Sequence, residues 1–294
     1  MEEIGAKSIL QRSARPGDWF GADYTVNLYR GCCHGCIYCD SRSDCYGIEE
    51  FDQVRVKRDC IPILERELRA KRGRGLVAMG AMSDPYNPGE RELGVTRKAL
   101  ELLLRYGFGA GLATKSGLVT RDGDVLEEIA RRDAVVVKVT VTVADDGLAR
   151  ILEPHAPAPS TRLKAAEELS SRGIFTGILL MPVLPFLTDR ADQVREVVRQ
   201  AKAHGARFVY PAFGVTLRDS QRAYFYRQLD RYEPGLSQRY RRTYGERYFC
   251  PIPNYREIIP LFEGECRTQG LLCRMRDIIE ASRAPYRREQ MRFF

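Results

Sequence analysis

The sequence Gly31-Cys32-Cys33-His34-Gly35-Cys36-Ile37-Tyr38-Cys39-Asp40 contains four of the nine cysteines of the chain. Three of the four have the spacing Cys32-x3-Cys36-x2-Cys39, on a loop that contains two glycines. Thiolates this close together can converge on one metal centre, and sulfur ligands favour zinc, copper(I) or an iron–sulfur cluster. A closed structural zinc site takes four ligands, often as two separated pairs, and no matching pair follows here. The triplet therefore favours a [4Fe–4S] cluster that leaves one iron open.

The same stretch resembles a known family. Cys-x3-Cys-x2-Cys with an aromatic residue, Tyr38, before the last cysteine is typical of radical S-adenosylmethionine (SAM) enzymes, and the string Arg-Gly-Cys-x-His-x-Cys-x-Tyr-Cys over 30–39 resembles the spore photoproduct lyase branch, which repairs DNA. The resemblance implies that Cys32, Cys36 and Cys39 bind the cluster and that SAM chelates its fourth iron. An electron from the cluster would then cleave SAM to methionine and a 5′-deoxyadenosyl radical, while the protein positions SAM and excludes water and oxygen.

Size and composition place the chain among globular proteins. Its 294 residues are 44% hydrophobic, which suits one large α/β domain or a core with a small appendage. No apolar run approaches about 18 residues and Met1-Glu2-Glu3 does not begin a signal peptide, so we expect a cytoplasmic protein without membrane contact. An odd number of cysteines, nine, fits a reducing compartment. The net charge of +8 favours an anionic partner without naming one.

Helical and strand periodicities alternate along the chain. They predict helices over 61–71, 96–106, 122–131, 160–171 and 191–204, the fourth capped by Ser160, and strands over 75–80, 109–114, 134–142, 173–183 and 206–211. Roughly six strand-then-helix units indicate a parallel sheet covered by helices. Periodicity alone also allows an open doubly wound sheet. The resemblance implies an α/β fold, a partial (β/α)6 radical SAM barrel with a small helical C-terminal region.

Three parts of the chain can be distinguished by composition. Residues 1–23 are expected to form an N-terminal extension in which Trp19 and Phe20 anchor the chain to the core. Residues 24–215 would form the barrel. After Phe213 the pattern changes, and 216–294 are expected to form a C-terminal helical cap.

Polar side chains follow the second and third predicted barrel strands, at the ends where sites gather in parallel α/β folds. Ser83 and Asp84 come first, and by themselves they would indicate a turn with a side-chain cap. Lys115 comes next, where a solvated lysine is the simple alternative. The resemblance implies that Ser83 and Asp84 hold SAM through its amino or ribose groups, and that Lys115 meets the SAM carboxylate as a point charge.

Two later strands add candidates for the same pocket. On the fourth strand Lys138, Thr140 and Thr142 share one face, since side chains alternate along a strand. The resemblance favours Thr140 beside the SAM ribose and Tyr38 beside SAM itself. At the end of the fifth strand, Met181 would pack against the adenine, although a simple core role is equally consistent.

The sequence departs from the lyase pattern at the hydrogen donor. In that family a cysteine precedes the Thr-Ser-Asp of the second-strand loop and donates a hydrogen atom, whereas Ala81 and Met82 stand here. Tyr38 matches the first tyrosine of the lyase pair, but Asp40 stands at the second. Tyr86 is one candidate substitute as a catalytic residue, and the other candidates are cysteines outside the triplet: Cys45, Cys60, Cys250, Cys266 and Cys273.

Two further groups near these strands have simpler interpretations. We expect Glu153 and Arg162 to form a structural ion pair, although an arginine there can also bind a carboxylate or phosphate. His34, inside the cysteine loop, is expected to donate a hydrogen bond to a cluster sulfur. His155 and His204 have no evident partner in the sequence.

Residues 218–249 interleave arginines and aromatics. They could clamp phosphates and stack bases of a nucleic acid, or the tyrosines could pack the cap on the barrel while the arginines are solvated. The residues concerned are Arg222, Arg227, Arg239, Arg241, Arg242, Arg247, Tyr224, Tyr226, Tyr240, Tyr244 and Tyr248.

Three functions remain open from the sequence. The first is a lyase-like radical SAM enzyme that acts on DNA, with 218–249 as the DNA contact. The second is a radical SAM enzyme with another substrate, such as RNA, a peptide or a metabolite. The third is a non-enzymatic Fe–S or zinc protein that binds nucleic acid. Either enzyme would need a flavodoxin- or ferredoxin-like electron donor, and we expect a monomer.

Overall fold

The fold was analysed in a computed structural model that describes residues 1–286. Its strands are β1 Glu2–Ile4, β2 Leu10–Arg12, β3 Ala22–Val26, β4 Tyr29–Arg30, β5 Arg55–Lys57, β6 Leu76–Met79, β7 Gly109–Thr114, β8 Val135–Thr140, β9 Thr176–Leu180, β10 Val209–Pro211, β11 Gly214–Thr216 and β12 Phe249–Pro251. Its helices are α1 Cys60–Ala70, α2 Glu90–Leu93, α3 Val95–Tyr106, α4 Gly123–Ala130, α5 Asp146–Leu152, α6 Pro159–Ser171, α7 Ala191–Ala203, α8 Asp219–Tyr232, α9 Leu236–Tyr244, α10 Tyr255–Gln269 and α11 Met275–Arg283.

Six parallel strands lie side by side in chain order, β3-β6-β7-β8-β9-β10, and β2 adds antiparallel to β3 at one edge. The register places Val26 opposite Met79 and Met79 opposite Leu112, with an irregularity in β3 between Ala22 and Tyr24. Strands buried on both faces need apolar side chains on both, which explains the valine-rich β8. Sequential parallel order with helical crossovers confirms the partial (β/α)6 barrel and excludes a doubly wound order.

Most predicted helices lie within one or two residues of their expected ends. The N-terminal cap of α6 differs from the prediction, because Ser160 is not the capping residue. The helix begins at Pro159 after Ala158, because proline at the first helical position already has the helical φ angle. Ser160 instead binds α5, with its hydroxyl donating to Asp146 Oδ2 at 2.6 Å.

The N-terminal extension packs on the lower end of the barrel, the end where the parallel strands begin. Phe20 is buried and its ring lies 5.6 Å from Phe208 and 5.3 Å from Tyr210 of β10. Trp19 packs edge-on against Phe20 but is half exposed. The anchor predicted for this pair therefore rests mainly on Phe20.

The region predicted as a C-terminal cap contains α8 to α11 and also a small antiparallel pair, β11 with β12. Residues 287–294, its last part, lie outside the described residues. Phe225, Tyr240 and Tyr244 of this region form one core cluster with Cys36 and Tyr38 of the cysteine loop. The region therefore packs directly on the loop that carries the triplet. Among residues 1–286, no helix has the length and apolar content needed to cross a bilayer.

Candidate active site at the cysteine loop

The three cysteines of the triplet line one cavity of about 170 Å³ at the carboxyl end of the barrel. The cavity lies between the cysteine loop and the ends of β6, β7, β8 and β9. Its lining brings together most of the predicted site residues: Cys32, Cys36, Cys39, Ser83, Asp84, Lys115 and Thr140, with His34, Ala81 and Met82.

The cysteine loop is fixed by backbone contacts with neighbouring segments. Ile37 N–H donates to the Leu152 carbonyl at 2.9 Å, and His155 N–H donates to the His34 carbonyl at 3.1 Å. Gly35 has φ of +69°, and a Cβ there would lie 2.8 Å from His155 Cδ2. Only glycine fits this position without strain, so the turn between Cys32 and Cys36 depends on it.

Asp84 joins the ends of β6 and β7. Its carboxylate accepts hydrogen bonds from Thr114 Oγ1 at 2.6 Å, from Tyr86 N–H at 2.9 Å and from Lys115 N–H at 2.7 Å. His34 Nδ1 lies 3.4 Å from the same carboxylate. Asp84 therefore organises two loops of the cavity wall, and a contact with SAM would come in addition to this role.

A buried polar network lies directly behind the cavity. The Glu153 carboxylate accepts a hydrogen bond from the Tyr38 hydroxyl and another from Thr142 Oγ1 at 3.0 Å, and it forms an ion pair with Arg162 at 2.5 Å. Glu153 and Arg162 are both almost fully buried, which confirms the predicted pair. The ammonium of Lys115 lies 5.7 Å from the centre of the Tyr38 ring.

The charges of this network act on one another. Burial opposes ionisation of Glu153, but Lys115 and Arg162 hold the pKa of its carboxyl below the usual value. Burial likewise opposes the charge of Lys115, while Cys36 and Glu153 raise the pKa of the amine. The network thus favours the ionised forms of Glu153 and Lys115 beside the cysteine loop.

The donor set fits an iron–sulfur cluster. Burial, followed by the charge of Asp84, raises the pKa of the Cys32 thiol to about 12, and burial also raises the pKa of Cys36 and Cys39. In residues 1–286 no three His, Cys, Asp or Glu side chains converge tightly enough for a single ion. A cubane cluster binds each thiolate at a different iron, and metal binding must release the thiol protons.

Three predicted site residues are absent from the cavity lining: Tyr38, whose hydroxyl donates to Glu153 behind the cavity, Met181 and Tyr86. Met181 packs among the partly buried residues of the barrel interior and is absent from the cavity lining. Tyr86 is buried and also absent from the lining, and its hydroxyl faces Asp122, which together with burial raises its pKa. The structure therefore does not bring Tyr86 to the cavity as a catalytic residue.

Asp40, at the second tyrosine position of the lyase pattern, joins the cysteine loop to the C-terminal region. Its carboxylate accepts from Arg218 at 2.6 Å, from Thr216 Oγ1 at 2.9 Å and from Tyr46 at 2.8 Å. The Arg218 guanidinium lies between two rings, 5.2 Å from Tyr46 and 5.0 Å from Tyr248. At this position the lyase pattern has a tyrosine, whereas this chain has a carboxylate that accepts hydrogen bonds from three side chains.

The Arg- and Tyr-rich segment divides into a packed and an exposed set. Tyr226, Tyr240 and Tyr244 are buried, and the Arg222 guanidinium donates to four backbone carbonyls. For these residues the packing interpretation is correct. Exposed side chains remain at Arg227, Arg239, Arg241, Arg242, Arg247 and Tyr248, with Phe249 beside them.

Comparison with known proteins identifies the family. Residues 26–201 match the radical SAM superfamily. The chain belongs to this superfamily. An uncharacterized protein of Mycobacterium tuberculosis is 35% identical over 243 residues, which is 80% of this chain and 71% of that relative. An uncharacterized protein of Methanocaldococcus jannaschii is 29% identical over 189 residues, 64% of this chain and 69% of the other.

Solved structures with the same fold come from the spore photoproduct lyase branch. One lyase variant matches with a TM-score of 0.66 at 14% identity, covering 92% of this chain and 80% of its own. A variant with bound AdoMet and dinucleoside spore photoproduct matches with a TM-score of 0.65 at 15% identity, covering 91% and 79%. At this identity the match shows the fold: the chain has the radical SAM barrel fold of these lyase structures. Membership implies a [4Fe–4S] cluster and SAM as cofactors of this radical SAM chain.

Two features of this radical SAM site were missed by sequence reasoning. The bond between Tyr38 and Glu153 joins residues 115 positions apart, and the bond between Asp40 and Arg218 joins residues 178 positions apart. A single sequence shows the type of each residue but not which distant residues contact one another in the fold. The only local signal was Asp40 itself, an acidic residue where the pattern has tyrosine.

Proposed function

We propose that this chain reductively cleaves SAM at a [4Fe–4S] cluster bound by Cys32, Cys36 and Cys39, and that the 5′-deoxyadenosyl radical abstracts a hydrogen atom from a substrate at the barrel mouth. The observation that carries the proposal is the single cavity shared by the three thiols and by Ser83 and Lys115. A non-enzymatic metal protein would have no use for a polar pocket beside the thiols.

Several residues of the cavity are suited to hold SAM. The ammonium of Lys115 can meet the SAM carboxylate, since Glu153 and the thiolates keep it charged. Ser83 and Thr140 offer hydroxyls to the amino and ribose groups from two neighbouring strand ends. Met181, two residues after Leu179 of the lining, is proposed as the apolar contact of the adenine.

Reduction of the cluster needs an external donor, and we propose a flavodoxin- or ferredoxin-like protein. The cysteine loop and the C-terminal region share a core, so the cluster would lie in an apolar setting that excludes water. The chain's own part in the reaction is to bind, orient and shield; the bond cleavage is the chemistry of the cofactor.

For the substrate we propose DNA, with a photoproduct as the lesion by likeness to the lyase fold. Arg241, Arg242 and Arg247 are exposed, and so are Tyr248 and Phe249 in the same stretch of sequence. Cations with aromatic faces suit phosphates and unstacked bases. The missing cysteine at Ala81 favours the second candidate, a different substrate of the same radical, such as RNA, a peptide or a metabolite.

The test is anaerobic. The reconstituted protein is mixed with SAM, dithionite and DNA with or without the spore photoproduct, and 5′-deoxyadenosine and thymine are both measured. Recovered thymine supports DNA repair; deoxyadenosine without thymine supports the radical SAM reaction and refutes this lesion as substrate.

Cys36→Ala provides the control for the cluster. We expect it to lose bound iron, the electron paramagnetic resonance signal of the reduced cluster, and SAM cleavage. Cys45→Ala, an exposed cysteine outside the triplet, should keep all three. Persistent SAM cleavage by Cys36→Ala would refute the cluster assignment.

A further inference from the structure

A second cavity, here called the outer cleft, lies beside the one at the cysteine triplet. Its volume is about 670 Å³, against about 170 Å³ for the first, and the two have only His34 in common among their lining residues. The outer cleft lies between α6, the helical turn Gly117–Asp122 after β7, the segment 86–91 after β6 and the loop between α5 and α6. Parallel α/β folds bind ligands at the carboxyl ends of their strands, and this volume is typical of a small-molecule site.

The outer cleft contains basic groups that have no acidic partner. Arg91 of α2 and Lys164 of α6 line it from two different elements, and both are exposed. Within residues 1–286 neither side chain forms an ion pair or a hydrogen bond, and the same holds for the ring of His155 in the loop between α5 and α6. The carboxylate in the lining, Glu168, already forms an ion pair with Arg172 at 3.1 Å. The cleft therefore presents two unpaired cations to an incoming ligand.

The remaining wall of the outer cleft is suited to a flat apolar group. Pro88, Leu118, Pro154 and Pro157 contribute rigid or apolar surface, and the exposed ring of His155 lies among them in the lining. A ligand that combines an anionic end with a flat ring would satisfy both parts of the cleft. A phosphate ester of a nucleoside has this composition.

We propose that the outer cleft is a binding site for a nucleoside monophosphate, with the phosphate at Arg91 and Lys164. An arginine meets a phosphate with two parallel N–H donors, and a lysine meets it as a point charge. The base would lie against the prolines and the ring of His155. No covalent step takes place at this site.

His34 separates the outer cleft from the cavity at the cysteine triplet. Its side chain is only 3% exposed and belongs to the lining of both, and its Nδ1 lies 3.4 Å from the Asp84 carboxylate. A nucleotide in the outer cleft would therefore lie one side chain away from the triplet. We expect it to bind without competing with SAM.

The experiment is calorimetric titration of the anaerobic holoprotein with adenosine and uridine 5′-monophosphates (AMP and UMP). Uridine and inorganic phosphate, the two halves of UMP, should each bind more weakly than UMP. Arg91→Gln and Lys164→Gln should each weaken nucleotide binding at least about tenfold, the scale of a lost hydrogen bond between charged groups. The matched controls Arg69→Gln on α1 and Lys202→Gln on α7, at exposed positions outside the cleft, should bind as the wild type does.

A steric variant tests the position of the site without removing a charge. Ala156 is half-buried in the lining, so Ala156→Trp should fill the cleft and abolish nucleotide binding. Lys202→Trp, at an exposed position of α7, is its control, and thermal unfolding of both variants shows that they are folded.

Several results would overturn the proposal. They are the absence of binding by both nucleotides, equal affinities for UMP and uridine, and unchanged nucleotide affinity in Arg91→Gln, Lys164→Gln and Ala156→Trp. Competition between SAM and the nucleotides would place them in the cavity at the triplet instead. A single-stranded oligonucleotide that displaces UMP and binds more tightly would assign the cleft to nucleic acid. None of these readouts uses SAM cleavage, so the outcome is independent of the proposed enzymatic function.

Discussion

Replacement of Lys138 should raise the stability of the fold. It lies on β8 with its side chain inside the lower barrel, only 2% exposed, and its ammonium is 5.0 Å from the centre of the Phe20 ring. Within residues 1–286 no carboxylate forms an ion pair with it. Burial alone therefore determines its protonation and lowers its pKa from 10.5 to about 7. We expect Lys138→Met, a substitution of similar volume, to stabilise the fold.

The size of the effect follows from this pKa. The difference between 10.5 and 7 corresponds to about 5 kcal/mol at about 1.4 kcal/mol per pKa unit, and about 4 kcal/mol of this applies at pH 7, where half of the folded chains carry the charge. Attraction to the Phe20 ring offsets roughly 2 kcal/mol. The variant should therefore gain about 2 kcal/mol at pH 7.

The pH dependence has a definite sign. Between pH 7 and 10.5 the unfolded chain binds a proton that the folded chain does not, so the free energy of unfolding of the wild type rises with pH through this window. Below pH 7 the full cost of the buried charge is present. Lys138→Met removes this contribution, so its advantage should shrink as the pH rises.

Urea unfolding of the cluster-free chains, followed by far-ultraviolet circular dichroism at pH 6.5 and pH 9.5, measures both effects. Lys202→Met, at an exposed position of α7, is the matched control and should change neither stability nor its pH dependence. The reasoning is refuted if Lys138→Met is less stable than the wild type at pH 6.5, or if the two chains gain equally between the two pH values.

Two further substitutions test the architecture of the cavity. Glu153→Ala leaves Arg162 buried without its partner and should lower the free energy of unfolding by about 3–5 kcal/mol. Asp192→Ala, which removes one partner of an exposed ion pair, is the control and should leave the free energy of unfolding unchanged. Similar losses in the two variants would contradict the buried network. Gly80→Ala would place a Cβ against the Ala113 carbonyl of β7 at the cavity wall. We expect this variant to lower the free energy of unfolding by more than about 2 kcal/mol and to abolish SAM binding, measured by calorimetry. Gly173→Ala is its control, with a positive φ but open space around it, so equal effects of the two would exclude the steric argument.

Helix positions could be predicted closely because amphipathic periodicity and end signals are local. The prediction of 96–106 against Val95–Tyr106 and of 191–204 against Ala191–Ala203 illustrates this. Strand ends were less accurate. The strand predicted over 173–183 is Thr176–Leu180, because the apolar chain continues past the last ladder hydrogen bond and an apolar run does not distinguish strand from buried loop.

The site, like the fold, contains features that the sequence predicts well and features that it does not. The cysteine triplet and the strand-end positions were visible in the sequence, since spacing and residue type suffice for them. How each side chain is used depends on partners far along the chain: Asp84 carries three hydrogen bonds from its neighbours, and Asp40 binds Arg218. Tyr86 has the right type and a nearby position but lies against Asp122, outside the cavity lining.

Ala81 stands where the lyase pattern has its hydrogen-donating cysteine. A substitution at this position can therefore test whether the spore photoproduct is the substrate. Ala81 lines the cavity and is exposed at its rim, and the only thiols of the lining are those of the triplet, which bind the cluster. A lyase reaction by the wild type would therefore lack a nearby thiol as hydrogen donor. If the substrate is the spore photoproduct, Ala81→Cys should increase thymine recovery by about tenfold or more, the scale on which a correctly placed reacting group acts. Ala81→Ser, of equal size but without a thiol, should behave as the wild type. Equal thymine yields from the cysteine and serine variants, with SAM cleavage intact in both, would mean that the radical of this chain serves a different substrate.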